Sequence, residues 1–501
     1  MSRKAKALIR GSVVGTSNFI ASALIGILLM PFIIHSLGDK MYGLWMIAGS
    51  FLGFYGIFDF GLVFAAQRFI SKAIGSQDFT AANKSINTSL LLFNFIGVLS
   101  LLITVVIVAL APFFVKRPSD VVLFRQLIVV LGVSMAFGFP MRVFSGILLS
   151  HVRYDLYATI EFSKLILRTA LVVVFLKAGY GILALAIITF GLEASGYLVK
   201  FIMVKKMFNY IVLSRKFIDM SLLKPFFKYS FTSFIIQIAN QLNFKVSNFV
   251  IAGFMGLNYV TIYAVAANLI RYFTMFISNS TGLMMPVFSQ YDGKGDYKSI
   301  QEKYVLITKI SGYLSFFIGG FIILLGKAFL ERWVGKEYTN AYPILLILII
   351  PTIFALMQSS AWGLLYGISK HKYFAIANSL EGLSNLILSL LLVRRFGLIG
   401  VALGQAIPML IVKLFVQPIY ICKIIDFKPT KFYFNILIPI TFKSLFILVL
   451  FWQLFKVFIV PNYLNLIILS CCGFLLFIIL IFSFGFNKME RKYFKKAVLL
   501  P

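Results

Sequence analysis

Runs of mostly apolar residues recur along this chain from end to end, separated by short polar breaks. At 1.5 Å of rise per residue, a run of about 20 residues covers the roughly 30 Å core of a bilayer. The runs predict about fourteen spanning helices, near residues 12–34, 42–66, 86–111, 121–149, 157–176, 180–203, 229–254, 258–285, 304–326, 341–367, 373–393, 397–421, 433–457 and 462–485. A soluble domain has no means of burying so much apolar surface, whereas a bilayer supplies an apolar solvent for it. The expected fold is an all-α polytopic membrane protein. Its first run follows Arg3, Lys4, Lys6 and Arg10 and superficially resembles a secretory signal. Its length, Pro31 within it and the further runs behind it make it the first spanning helix, retained in the chain.

The pattern is stated twice. One offset of about 218 residues places Gly38 on Gly256, Trp45 on Tyr263, and Gly75-x-x-Asp78-Phe79 on Gly293-x-x-Asp296-Tyr297. It also places Ser12 on Ser230 and Gly179 on Gly397, as an internal duplication would. The expected organisation is a six-helix lobe (1–203), a basic connector (204–228), a second six-helix lobe (229–423), an accessory transmembrane hairpin (424–486) and a basic tail (487–501). Six is even, so both copies enter from the same side and form a parallel repeat.

Composition narrows the function. The chain is 60% hydrophobic, with a mean hydropathy of +0.96 and a formal net charge of +31. In the helix assignment above, roughly 28 Lys and Arg fall in loops on the side of the N-terminus and roughly 10 on the other, the bias of the positive-inside rule. The charge is therefore a topology signal, with both termini expected in the cytoplasm, and not a sign of nucleic-acid binding, for which no loop is long enough to hold a reader module. The link from Lys200 to Lys228, carrying Lys205, Lys206, Arg215, Lys216 and Lys224, is the most basic loop, and the tail is expected near anionic lipid headgroups. Cys422, Cys471 and Cys472 form no disulfide framework, and His35, His151 and His371 show no metal-ligand spacing. No Gly-Lys pair sits in a phosphate-cradling loop. No cofactor is expected, no metal, and no ATPase or other enzyme chemistry.

The informative residues are the charges inside the spans, each of which costs about 2.5 to 3.5 kcal/mol on insertion scales. In the fifth span Glu161, Lys164 and Arg168 share one face at i, i+3 and i+7, with the glutamate able to pair the lysine. Arg125 and Arg142 lie in the fourth, nearer its ends. The seventh carries the polar stripe Gln237, Gln241, Lys245 and Asn248, the eighth Asn268, Arg271, Ser278 and Gly282, and the eleventh Asn378, Glu381, Asn385 and Ser389. With a two-residue gap Glu381 falls on Glu161. Such stripes are either interhelical hydrogen-bonding glue or the lining of a water-filled cavity. Because cations outnumber their embedded acidic partners, a cationic central cavity for an anionic ligand is expected. Glu193, Lys309 and Lys413 are read as structural or interfacial. Asp59-Phe60-Gly61 ends the second span, where Asp59 either caps the break or pairs with Arg68, with a gating role open. Pro31, Pro140, Pro286, Pro351 and Pro408 are placed to kink helices, as alternating access would use.

Leu37-Gly38-x3-Tyr42-Gly43-Leu44-Trp45, followed by Asp59-Phe60-Gly61-Leu62, resembles the Wzx-type polysaccharide (O-antigen, teichoic acid) flippases of the multidrug/oligosaccharidyl-lipid/polysaccharide exporter superfamily. Gly179 to Ala186, its counterpart Gly397 to Gly404, and the loop Glu331-Arg332-Trp333-Val334-Gly335 are similar to that family too. The resemblance implies a flippase of a bacterial or archaeal cytoplasmic membrane. It would carry an undecaprenyl-pyrophosphate-linked oligosaccharide to the outer leaflet for surface polysaccharides such as lipopolysaccharide, alongside the polymerase and glycosyltransferases of the same pathway. On that basis Lys164, Arg168, Lys245, Arg271, Arg125 and Arg142 are candidates to hold the headgroup and Glu161 and Glu381 candidates for ion coupling. A cation-coupled multidrug exporter of the same superfamily, with acidic residues dominating its site, is the alternative. A polymerase or ligase of lipid-linked sugars is a third, disfavoured by the short outer loops.

Overall fold

The computed structural model describes residues 3–481 apart from 116, 282–284, 369 and 371. The basic tail 487–501, Gly282 and His371 therefore lie outside the described residues. All regular structure among the described residues is helical, and the chain divides into two compact units, Met1–Thr261 and Ile262–Pro501. The first holds α1 (Arg3–Leu37), α2 (Asp39–Tyr55), α3 (Leu62–Gly75), α4 (Phe79–Ala109), α5 (Ala111–Phe114), α6 (Pro118–Ser150), α7 (Tyr154–Lys177), α8 (Ile182–Met207), α9 (Leu223–Phe244), α10 (Val246–Phe254) and the first turn of α11 (Leu257–Thr281). The second holds the rest of α11, then α12 (Met285–Gly293), α13 (Tyr297–Trp333), α14 (Ala341–Met357), α15 (Ser360–Gly367), α16 (Lys372–Ile411), α17 (Gln417–Ile424), α18 (Pro429–Phe432), α19 (Ile438–Phe455) and α20 (Tyr463–Leu480).

Ten helices, or eleven when the bent pair α14 and α15 is taken as one span, are long and apolar enough to cross a membrane among the described residues. That is fewer than fourteen, for identifiable reasons. The helix α7 is continuous but carries Glu161, Lys164 and Arg168 in its middle. The expected seventh span is split into α9 and α10 at Lys245, whose φ of −119° leaves the helix. The expected spans 373–393 and 397–421 run together in the 53-residue stretch Lys372–Ile424, interrupted at Gly397, where φ 55° and ψ −133° are not helical.

The two copies of the sequence pattern adopt the same local conformations. Gly38 and Gly256 both take positive φ (77° and 102°), as do Gly179 and Gly397. Asp78 and Asp296 both cap the helix that follows them, accepting from Ala81 N at 2.8 Å and Ser299 N at 3.0 Å, the hydrogen bonding expected of an N-cap. In the first unit Ile70, Ile86, Phe93, Phe139, Ile147 and Phe226 form a buried core joining α3, α4, α6 and α9. In the second, the accessory pair is seated on α13. Phe321 and Leu325 of α13 are buried with Leu448 and Phe451 of α19 and Leu466 and Leu469 of α20, and the rings of Phe321 and Phe451 lie 4.6 Å apart.

The basic connector is docked on the first unit. Asn83 of α4 donates to Tyr210 O (2.9 Å) and accepts from Val212 N (2.8 Å). One turn on, Asn87 donates to Val212 O (2.8 Å) and accepts from Ser214 N (2.9 Å). The match is geometric, because four residues of helix rise about 6 Å and two residues of extended chain about 6.6 Å. Thr88 Oγ1 then accepts from Asp219 N (2.9 Å), and Lys84 pairs with the Asp219 carboxylate (3.1 Å). At the same end, His151 stacks on Phe208 (3.7 Å) and meets the Tyr210 hydroxyl at 3.0 Å. Burial pushes that phenol up to about 12.

Candidate functional site

The charges of the fifth span find partners on the next helix. Lys164 Nζ lies 3.0 Å from Glu161 Oε2 and 2.8 Å from Glu193 Oε2 of α8. The Glu161 Oε1 oxygen receives Lys200 Nζ at 2.6 Å. Two lysines and two glutamates thus alternate across the α7–α8 seam. Lys200, placed by its sequence position at the edge of the connector, is instead 2% exposed. Its ammonium faces the rings of Tyr157 (4.6 Å) and Tyr197 (5.3 Å), a cation–π setting for a charge short of water. Room for Lys164 comes from Gly196, where a Cβ would stand 2.6 Å from Lys164 Cδ. Glu193, with a side chain 39% exposed, is the open member of the cluster. Arg168, one turn beyond Lys164, is exposed and faces the Glu193 charge.

A second constellation forms where the expected 42–66 helix breaks. After α2, a 3-10 turn (Gly56–Asp59) and two left-handed residues, Phe60 (φ 49°) and Gly61 (φ 71°), lead into α3. The buried Asp59 carboxylate accepts from Gly61 N at 2.5 Å and from Gln237 Nε2 of α9 at 3.1 Å. Arg142 Nη1 of α6 stands 3.6 Å from its other oxygen, its guanidinium over the Phe139 ring at 4.6 Å. Asp59 both caps the break and ties it to α6 and α9. The cation beside it is Arg142, with Arg68 exposed on α3.

The remaining candidates are dispersed. Arg125 donates from Nε to Val108 O at 3.1 Å, Lys245 occupies the α9–α10 break, and the exposed Arg271 lies 5.2 Å from the Tyr272 ring in the second unit. There Glu381, 6% exposed, lies 3.2 Å from Lys413 Nζ. The contact is ionic without hydrogen-bond alignment, since Lys413 Nζ donates to Asn378 Oδ1 at 2.8 Å and Glu381 Oε2 receives no aligned donor. Lys413 belongs to a π-helical turn, Val412–Val416. Gln358 Nε2 donates to Lys413 O (2.6 Å) and the Tyr433 hydroxyl to Leu414 O (2.7 Å), catching carbonyls in that turn. The sequence does not mark Glu193, Lys200 and Lys413 as partners, because none has an oppositely charged neighbour one turn away on its own helix. The one available signal was that each lies on the span following a glutamate-bearing one. Among the described residues no group of His, Cys, Asp or Glu has a metal-binding arrangement.

Chemically, both constellations hold ionised groups that a stronger ligand can exchange. The two lysines of the α7–α8 cluster, freed of a glutamate, would present paired donors to an anion.

Comparison with known proteins gives the family and the fold. The profile of a family described as Polysaccharide biosynthesis protein matches residues 8–292. The chain is 24% identical to a putative O-antigen transporter of Shigella flexneri over 424 residues, 82% of this chain and 97% of that one. It is 22% identical to the membrane protein EpsK of Bacillus subtilis (strain 168) over 434 residues, 84% of this chain and 85% of that one. Among solved structures, the lipid II flippase MurJ in an inward closed conformation superposes with a TM-score of 0.72 at 16% identity, covering 94% of this chain and 98% of that one. At that identity the likeness is one of fold.

Proposed function

Because the chain belongs to the polysaccharide biosynthesis protein family, a family of multi-pass membrane transporters and not of enzymes, we propose that it is a flippase. It moves an undecaprenyl-pyrophosphate-linked oligosaccharide from the cytoplasmic to the outer leaflet of the cytoplasmic membrane for surface polysaccharide synthesis. The observation that carries the proposal, beside the family, is Lys164 held at 3.0 and 2.8 Å by two carboxylates with Lys200 alongside. A pyrophosphate offers more acceptor oxygens and more charge than the partly exposed Glu193. It displaces that glutamate from Lys164 and is held by Lys164, with Arg168 near. The released carboxylate is then the exchangeable acidic group through which an ion could be coupled to loading of the headgroup. Glu161 stays bound to Lys200, so the cluster remains assembled while one arm exchanges. The Asp59 break, fastened to Arg142 and Gln237, is the gating element of this scheme. Its end of the first unit near the docked connector, rich in Lys and Arg, faces the cytoplasm.

The test is translocation of a pyrophosphate-linked oligosaccharide lipid in proteoliposomes. Wild type is expected to flip it and Lys164→Ala, at equal expression, to lose at least about tenfold in rate. Wild type that is inactive on such lipids, yet expels cationic dyes in a manner dependent on Glu161 or Glu381, overturns the proposal in favour of a cation-coupled exporter.

A further inference from the structure

The first unit contains a second built site at the end away from the docked connector. A cavity of about 290 Å³ is enclosed by the start of α2, the α5–α6 turn and the α10–α11 turn. This is at the small end of the roughly 300 to 1,000 Å³ usual for small-molecule sites, so it admits one ring and not a chain. Its walls are of two kinds. Phe114, Val115 and Met255 supply an apolar face, while Lys40, Arg117, Asp120, Asn258 and Tyr259 supply polar groups opposite. We infer that this cavity binds a single acidic sugar ring, which at this place is a unit of the translocated glycan. The last clause alone rests on the flippase proposal.

The charges select the ligand. Asp120 is 4% exposed, lies in the first turn of α6 and is fixed by Lys40 Nζ at 2.7 Å. Held by the ammonium at the helix N-terminus, its carboxylate is an oriented acceptor for sugar hydroxyls. Its own charge is balanced by Lys40. Among the described lining residues, that leaves the exposed Arg117, with no carboxylate partner, as the one net positive charge. A guanidinium is suited to a planar carboxylate. A bare phosphate dianion fits poorly, because it would meet the buried Asp120 carboxylate and gain nothing from the apolar wall. A neutral sugar would leave Arg117 unused. A ring with one apolar face, several hydroxyls and one carboxylate uses every wall.

The cavity is held in shape before any ligand arrives. Gly256, at φ 102°, turns the chain sharply from α10 into α11, with Met255 N and Gly256 N both bonded to Ile251 O. Thr261 Oγ1 donates to Asp39 O at 2.6 Å, tying the start of α11 to the start of α2. Walls fixed in this way lose little on binding.

The test is titration of the purified full chain in detergent with methyl β-D-glucuronide and methyl β-D-glucoside, read by saturation-transfer NMR. The uronide is expected to bind and the glucoside to bind at least about tenfold more weakly, the margin of one charge-assisted contact. Arg117→Gln, an exposed position, should reduce uronide binding to the glucoside level. Asn258→Trp, also exposed, should block both by filling the mouth. Equal binding of the two glycosides, uronide binding unchanged by Arg117→Gln, or displacement of the uronide by inorganic phosphate at equal concentration overturns the inference. Because the readout is binding, a chain that binds the uronide but flips no lipid-linked oligosaccharide removes the flippase proposal and leaves the site. A chain that flips the lipid but ignores the uronide does the reverse.

Discussion

Each unit places a glutamate on one helix and a lysine on the next segment, yet the two ion pairs differ in every respect that matters for exchange. In the first unit Glu161 holds two lysines and shares one of them, Lys164, with Glu193, whose carboxylate is 39% exposed. In the second, Glu381 and Lys413 are alone, 6% and 9% exposed, and Lys413 sits in a π-helical turn whose carbonyls are held by Gln358 and Tyr433. In the sequence, Glu381 falls on Glu161 only when a two-residue gap is allowed. The first is a redundant, partly exposed cluster and the second a buried, single pair. Redundancy lets a partner leave without stranding a charge, whereas a dry pair cannot open without large cost. The first arrangement suits a ligand-exchanging site and the second a structural lock.

The largest effect should come from breaking the lock. Lys413→Ala is expected to cost about 3 to 5 kcal/mol, the usual result of leaving one buried charge behind, seen as a marked fall in thermal midpoint in detergent. Replacing both members, with Glu381→Leu and Lys413→Leu together, should return to within about 1 kcal/mol of wild type and retain translocation. A single variant as stable as wild type would remove the contrast between the units.

Next, Gln358→Leu frees Lys413 O in the π-turn. The lost bond exposes a buried acceptor, but Gln358 Oε1 itself has no partner in the native chain, so the net cost should be near the low end, about 1 kcal/mol. Translocation should be preserved. If it fails while the fold holds, the second unit's pair is part of the transport cycle and not a lock.

In the first unit the order reverses, with small stability effects and large functional ones. Lys164→Ala leaves Glu161 on Lys200 and Glu193 in contact with water, so stability should change by no more than about 1 kcal/mol while translocation is lost. Gly196→Ala keeps every charge but drives a Cβ against the Lys164 chain. The flexible side chain can give way, so folding should be unaffected and the transport rate lowered. An unaltered rate would mean that the position of Lys164 is not limiting.

How much of this was legible in the sequence follows from range. The all-helical membrane class and the Glu161–Lys164 pair are local or periodic, and both are found in the structure. The break at Asp59-Phe60-Gly61 was visible because glycine after an acidic residue marks a helix end. Its fastening to Arg142 and Gln237 was not, since those contacts span 83 and 178 residues of chain. Lys200 and Glu193 look like ordinary connector and surface charges until α8 is laid on α7. The π-turn at Lys413 has no sequence signature, because a one-residue bulge shifts a helix face without changing its composition. The pairing of Lys164, Lys200 and Lys413 escapes the sequence for the same reason. A sequence shows charges span by span, and these pairs form between spans.

The smallest expected effect is a pH dependence that should be absent where the cluster's is present. Asp155, in the first turn of α7, is held below the ordinary carboxylate range by its hydrogen bond with Arg153, whose guanidinium meets it at 3.0 Å through both oxygens. Asp219 in the connector is likewise lowered, by Ser221 and then by Lys84. A carboxyl whose folded value lies below its unfolded one binds more protons when unfolded. Its contribution is therefore complete above about pH 4 and is lost only as pH falls through the folded value. The contribution of these two carboxyls to the thermal midpoint should thus be constant from pH 8 to pH 5 and decline only below about 4. Translocation measured over the same pH 5 to 8 interval isolates the α7–α8 cluster, because the anchors at the start of α7 and along the connector do not titrate there. A rate that changes across that interval in wild type, and ceases to change in Glu193→Gln, assigns the proton to the exposed arm of the first unit's cluster. A rate profile identical in both chains places the proton elsewhere and leaves the cluster a binding site without a coupling role.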